Sequence, residues 1–435
     1  MIEPSTQPSK WQIPFFTIWT GQAFSLIGSR AAQFALVWWL TDLTGSATIL
    51  ATASLVALIP EILLGPIAGA YVDRWNRRIV MIAADTLVAL ASLWLAITFW
   101  TGSVQIWHIY AIMLVRAVGG SFHWPAMQAS TSLMVPKEQL SRVAGLNQTL
   151  NGMLNIAGPP LGALLMEMLP LHGVMAVDVG TALLAILPLF FVLIPQPIPA
   201  RVDASQKPSI WTDIRAGLRY IWGWPGLVVL IGTAMVIKIA LTPAFSLLPL
   251  LVKAHFEGDA ARLSLLEAIT GVGIVAGGIA LSMWGGFKRK IYTVMIGIGV
   301  LGLSFILLSQ TPADMFGMAL GCFLVAGIMI PLVDGPIMAI LQGTVAPEIQ
   351  GRVFTMMSSL LWFTSPFSLA IAGPVTDWLG IQVWYLMAGL LCAGMGLVGF
   401  FVPPLMNIEE NANGQSTLAE AVGSASPEPV CVQIE

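Results

Sequence analysis

From about residue 15 to residue 402 the chain is a succession of apolar runs of about twenty residues, separated by short breaks of Pro, Gly and charge. A bilayer core about 30 Å thick takes about 20 residues of helix, and no water is present there to satisfy a bare peptide group. Such runs are therefore expected to be spanning helices. Cutting at the breaks places twelve of them, near 15–40, 48–72, 78–100, 104–128, 144–168, 171–194, 226–252, 261–285, 290–310, 313–341, 354–378 and 381–402. Composition agrees, because 57% of residues are hydrophobic and 9% charged, whereas a soluble domain is about a quarter charged. The fold class expected is an all-α membrane protein.

The cations fix a direction. With the N-terminus inside, fourteen of the 19 Lys and Arg fall on the cytoplasmic side, among them Arg74, Arg77, Arg78, Lys288, Arg289 and Lys290, against Lys253 and Arg262 outside. This asymmetry is the ordinary one for short cytoplasmic loops. Both termini are then cytoplasmic. Residues 1–14 lack the apolar core and cleavage site of a signal peptide, so the first span is expected to remain as an anchor.

A polar connection divides the spans six and six. The expected organisation is a cytoplasmic N-terminus over 1–14, a six-helix bundle over 15–194, a linker over 195–225, a second bundle over 226–402 and a disordered tail over 403–435. Within the linker, Trp211, Ile214, Leu218 and Trp222 recur at helical spacing, as in a helix lying on the membrane surface. The halves resemble each other: FHWPAM (122–127) and VDGPIM (333–338) lie 211 apart, VPKEQLSRV and VAPEIQGRV 210 apart, and IAGP occurs at 156 and 371. Internal repeats that face one another across a central site suit a transporter whose bundles rock.

These residues resemble the major facilitator superfamily. Gly69, Asp73, Arg74, Arg77 and Arg78 match the spacing of that family's loop between spans 2 and 3; Arg116 and Gly120 resemble its span 4 pattern, with Gly119 in place of the usual Gln; and Gly158, Pro159, Gly162 and Ala163 follow the span 5 pattern of its antiporters, with Ala in the last place. FFTIWTGQAFSLIGS, LTDLTGSA, FHWPAMQA and IRAGLRYIWGWPGL resemble its bacterial macrolide-efflux and enterobactin-exporter group. The resemblance implies two pseudo-symmetric six-helix bundles and a proton-coupled exporter of the bacterial cytoplasmic membrane, with spans 1, 4, 7 and 10 around a central cavity.

Three groups of residues are candidates for the machinery. Asp73 lies just past span 2, where the helix dipole favours cations. It becomes favourable opposite the N-terminus of another helix, which the resemblance supplies as span 11. Gly69, Asp73 and the three arginines are therefore expected to gate the cytoplasmic side. The loop SMWGGFKRK in the second half keeps the cations without the acid, so topology alone explains the arginines and leaves Asp73 over. Gly158 and Pro159, with Pro160, remove backbone donors from span 5, and Gly162 permits close approach, so a kink is expected there.

The third group is the intramembrane charges, which are expensive unless paired or hydrated. Arg30, Arg116, Lys238 and Asp334 fall on the implied cavity spans. Glu61 and Asp178, then Asp334, are the leading candidates for proton coupling, each with a static ion pair to Arg30, Arg116 or Lys238 as the alternative. Glu267 lies in the outer third of span 8. Asp85 is expected to partner the loop arginines, and His123 to be a packing histidine.

Other classes are disfavoured. A net charge of −3 offers no basic surface for nucleic acid, and three scattered Cys and four scattered His give no metal spacing. Nucleotide-loop, H-E-x-x-H and G-x-S-x-G patterns do not occur, so neither an enzyme nor an ATP-driven pump is expected. The expected activity is export of a small amphipathic, macrolide-like compound by proton antiport and alternating access. No cofactor beyond the proton gradient is implied, and partners are the cargo, protons and the bilayer, with the chain acting as a monomer. The excess of cations on the cavity spans favours the alternative of a siderophore or anionic metabolite as cargo. A non-transporting receptor or scaffold is the reading from another class.

Overall fold

The computed structural model describes residues 11–72, 74–196, 218–345 and 347–409. Among the described residues there are twelve long helices: α1 Gln12–Thr44, α2 Ala47–Val72, α3 Arg77–Trp100, α4 Ile106–Met134, α5 Leu140–Met168, α6 Leu171–Phe191, α7 Pro225–Ser246, α8 Ala260–Trp284, α9 Lys290–Ser309, α10 Phe316–Thr344, α11 Pro347–Leu379 and α12 Ile381–Gly399. Each overlaps one expected span; α1, α5 and α11 run past theirs, while α6, α7 and α12 stop short. The breaks act as the residue types require. Gly45 ends α1 with φ 57°, a left-handed turn that glycine adopts without strain. Asn76 begins α3 by accepting from the N–H groups of Arg78 and Ile79, and Asp259 caps α8 through Arg262 N–H at 3.0 Å.

Among the described residues nine helical segments are long and apolar enough to cross a membrane. Helices α1, α4 and α5 are not among them. Arg30, Arg116 and the polar stretch of α5 that includes Asn147, Gln148, Asn151 and Asn155 dilute their hydropathy.

In the first bundle α1 packs on α5 and α6, α2 on α4, and α3 on α4 and α6; in the second α7 packs on α11 and α12, α8 on α10, and α9 on α10 and α12. Each of these pairings in one bundle thus recurs in the other, shifted by six helices. The bundles meet along α2–α11 and α5–α8. Lipid tails are as apolar as leucine, so these helices associate through close packing rather than burial from water. At α9–α12, a Cβ on Gly302 would stand 2.2 Å from the backbone nitrogen of Ala393 and 2.7 Å from the Gly389 carbonyl oxygen.

We call the end carrying the α2–α3, α4–α5, α8–α9 and α10–α11 connections the basic face, and the other end the opposite face. Residues 1–10 and 410–435, most of the linker and Asp73 lie outside the described residues, so the expectations for them have no counterpart here. Residues 218–222 are helical. Tyr220, Ile221 and Trp224 pack inward, while Trp222 is 72% exposed.

Candidate functional site

The intramembrane charges separate into a tied set and a loose set. In the tied set, Arg116 on α4 pairs with Asp178 on α6 at 2.8 Å. Ser92 on α3 donates to one carboxylate oxygen at 2.7 Å and Ser29 on α1 to the other at 3.0 Å. Asp178 is 2% exposed. A carboxylate with a guanidinium and two hydroxyls on it is satisfied within the fold, and Arg116, one of the three cations weighed as a partner, is the one that Asp178 meets.

The loose set lines a cavity between the bundles that has two lobes sharing Gln33 and Val37 of α1. The first lobe, about 330 Å³, lies among α2, α7 and α11 and contains Glu61, Lys238, Trp362 and Ser365. The Lys238 ammonium stands 5.0 Å from the centre of the Trp362 ring, a cation–π distance. Ser365 is 1% exposed, and its hydroxyl has no hydrogen-bond partner among the described residues. A buried hydroxyl without a partner is rare in a folded interior. The second lobe, about 460 Å³, lies between α1, α5 and α8 and contains Arg30, Asn155, Glu267 and Thr270. The charge of Arg30 acts on both Glu61 and Glu267. Asp334 lies outside the linings of both lobes, and Lys238 is the cation whose charge reaches it.

Sequence reasoning therefore found Arg30, Glu61 and Lys238 and passed over Glu267, Trp362 and Ser365. Glu267 was legible as an acid in an apolar span; it was placed in the outer third of span 8 and not ranked among the candidates. In the structure α2, α5, α8 and α11 contribute walls as well.

In α5 the helix is continuous through Gly158, Pro159 and Pro160. A Cβ on Gly158 would stand 3.2 Å from Arg30 Cβ, and one on Gly162 would stand 2.8 Å from Phe34 Cδ1 and 3.0 Å from the Ala31 carbonyl oxygen. These glycines bring α5 against α1 and seat Arg30 beside the second lobe, while Pro159 lines it.

At the basic face Arg77 donates to the Ala129 carbonyl of α4 at 2.7 Å. Arg78 donates to the carbonyls of Leu189 and Phe190 in the last turn of α6. Arginine on a helix C-terminus is favourable on dipole grounds, and both contacts stay within the first bundle. Arg74 is exposed, and a Cβ on Gly69 would meet nothing within 4 Å. Asp85 departs from expectation. Its partners are Gln22 at 2.9 Å and His123 at 3.3 Å rather than the loop arginines, because α1 and α4 reach it first.

Among the described residues, polar contacts join the bundles at the opposite face. Asp377, in the last turn of α11, accepts from the backbone N–H groups of Ala47 at 2.6 Å and Thr48 at 3.0 Å and from the Ser46 hydroxyl at 3.0 Å, all at the start of α2. Beside it, Lys253 pairs with Asp42.

Residues 18–360 match the model of the Major Facilitator Superfamily. The chain is 31% identical over 390 residues to Macrolide efflux protein A of Streptococcus pyogenes, covering 90% of this chain and 96% of that one. It is 30% identical over 325 residues to Macrolide efflux protein A of Enterococcus faecalis, covering 75% and 100%. A crystal structure of a bacterial homologue of the iron transporter ferroportin, in an inward-facing state, superposes with a TM-score of 0.68 at 15% identity, covering 89% of this chain and 98% of that one. The two bundles, the charged cavity between them and these likenesses lead to one conclusion: the chain is a multi-pass membrane transporter, not an enzyme, and belongs to the major facilitator superfamily.

Proposed function

We propose that the protein exports a small amphipathic, macrolide-like compound from a bacterial cell by proton antiport, with the basic face cytoplasmic. The observation that carries this reading is the balance of charge in and beside the cavity. Arg116 is neutralised by Asp178, which leaves the cations Arg30 and Lys238 near the acids Glu61, Glu267 and Asp334. With all five ionised the sum is one negative charge, which suits a cargo bearing one positive charge. Cargo and proton would compete for the same acids, which is what exchange requires. The anionic-cargo alternative loses Arg116, one of the three cations that favoured it. The macrolide-efflux relatives support the same reading, and the bias of cations toward one face supports its orientation in the cytoplasmic membrane, both termini inside.

The test is proton release from the purified, detergent-solubilised protein on addition of cargo, screened over macrolides and catechol siderophores. Release with macrolides and its loss in Glu61→Gln or Glu267→Gln is the expected result. Release that persists in both variants overturns the coupling assignment, and a response to siderophores alone overturns the cargo assignment.

A further inference from the structure

The contact of Asp377 with α2 is built from parts that gain nothing within one bundle. An acid in the last turn of α11 opposes that helix's own dipole, and the first N–H groups of α2 have no partners inside α2. Each lack is satisfied by the other across the interface, through the three hydrogen bonds to Ala47, Thr48 and Ser46. One turn before Asp377, a Cβ on Gly373 would stand 2.8 Å from Thr48 Cα and 3.1 Å from Ala51 Cβ, so the helices touch there because residue 373 has no side chain.

The same pattern ends α2. GPVTD at 373–377 repeats the spacing of GAYVD at 69–73, glycine and aspartate four apart at the close of a helix. Since α2 runs from the opposite face to the basic face and α11 runs back, each helix closes beside the place where the other begins. The two ends are in different conditions. Gly373 is packed hard against α2, whereas a Cβ on Gly69 would meet nothing within 4 Å. The engaged end also closes a lobe of the cavity: Leu50, one turn into α2, and Leu369, one turn before Gly373, both line the lobe that holds Glu61.

We propose that Asp377 is a positioning residue of the transport cycle, a latch that clamps α11 to the N-terminus of α2 and keeps the opposite face shut until the bundles rock. The pair α2–α11 then works as one lever with an acid at each end, and this structure has the Asp377 end fastened. The proposal rests on the transport reading for its consequence, and its measurement is independent of cargo.

The experiment uses the full chain in lipid nanodiscs with Cys322, Cys392 and Cys431 replaced. Spin labels at Ser103 and Ala313 report the opposite face, and labels at Lys137 and Lys288 the basic face. Asp377→Asn removes the charge and keeps the shape. It is expected to raise the ratio of opposite-open to opposite-closed molecules roughly tenfold, as loss of charge-assisted hydrogen bonds made in one state only should. Gly373→Ala is expected to shift the same distances in the same direction, and Asp377→Glu to stay near the wild type. Should Asp377→Asn fail to fold, Gly373→Ala alone decides. Unchanged distances in the folded variants overturn the latch, because a merely structural contact lowers the melting temperature without moving this equilibrium. A wild type that moves neither macrolide nor protons, with distances still shifted by Asp377→Asn, overturns the proposed function and leaves the latch standing.

Discussion

Asp178 and Glu267 show at the scale of single residues how two intramembrane acids of similar appearance in sequence meet different surroundings. Asp178 receives Arg116, Ser92 and Ser29 and has no unfilled role. Removing one partner of a buried pair strands the other, so Asp178→Asn is expected to lower stability by about 3 kcal/mol. Ser92→Ala removes the bond donated to Asp178 and a longer one accepted from Arg116 at 3.3 Å, and is expected to cost about 1 kcal/mol. Thermal unfolding in detergent would check both, and a larger loss in Ser92→Ala would contradict the assignment. Cargo-induced proton release should survive Asp178→Asn wherever the protein still folds. Sequence could name this pair and could not choose it, because the partners stand 62 positions apart and the choice depends on which faces of α4 and α6 meet. Glu267 was placed in the outer third of its span and left unranked, because sequence does not show that Arg30 lines the same lobe.

Helices as units depend on where they lack side chains. Gly302 meets α12 so closely that Gly302→Ala sets a methyl 2.2 Å from the Ala393 nitrogen, and the backbones must separate. A loss of about 1–3 kcal/mol is expected. Gly321 in α10 has nothing within 4 Å of a Cβ, so Gly321→Ala is expected to be neutral or stabilising by up to about 1 kcal/mol. Equal melting temperatures for the two variants would remove close packing as the cause. Number and order of helices were readable because a bilayer allows few alternatives to a twenty-residue apolar helix. Their ends were less so: α11 begins at Pro347, seven residues before the apolar run expected at 354, because a helix emerging from lipid can continue with polar residues in water.

Across the whole molecule, the contacts joining the bundles at the opposite face are unequal. Lys253 and Asp42 are 41% and 54% exposed, and an exposed ion pair contributes less than about 1 kcal/mol. Lys253→Met is therefore expected to move the opposite-face distances far less than Asp377→Asn and to behave alike at low and high salt. A shift as large as that of Asp377→Asn would transfer the latch to the ion pair. The duplication was visible in sequence through FHWPAM and VDGPIM, yet the meeting of α2 with α11 was expected only for Asp73. The spacing GPVTD shared with GAYVD was the one signal in α11, and it does not say that Asp377 faces the start of α2.

The offset of 211 that aligns Phe122 with Val333 also sets Arg116 opposite Gly327. Where the first bundle is knotted by a guanidinium and a carboxylate, the second has Gly327, whose Cβ would lie 2.4 Å from the Thr270 carbonyl oxygen. Two bundles with one packing plan are thus fastened by different forces, one by charge and the other by contact. A solvent that invades ion pairs would attack the first copy, and crowding of a helix seam the second, so a molecule that resembles its own duplicate would come apart unevenly.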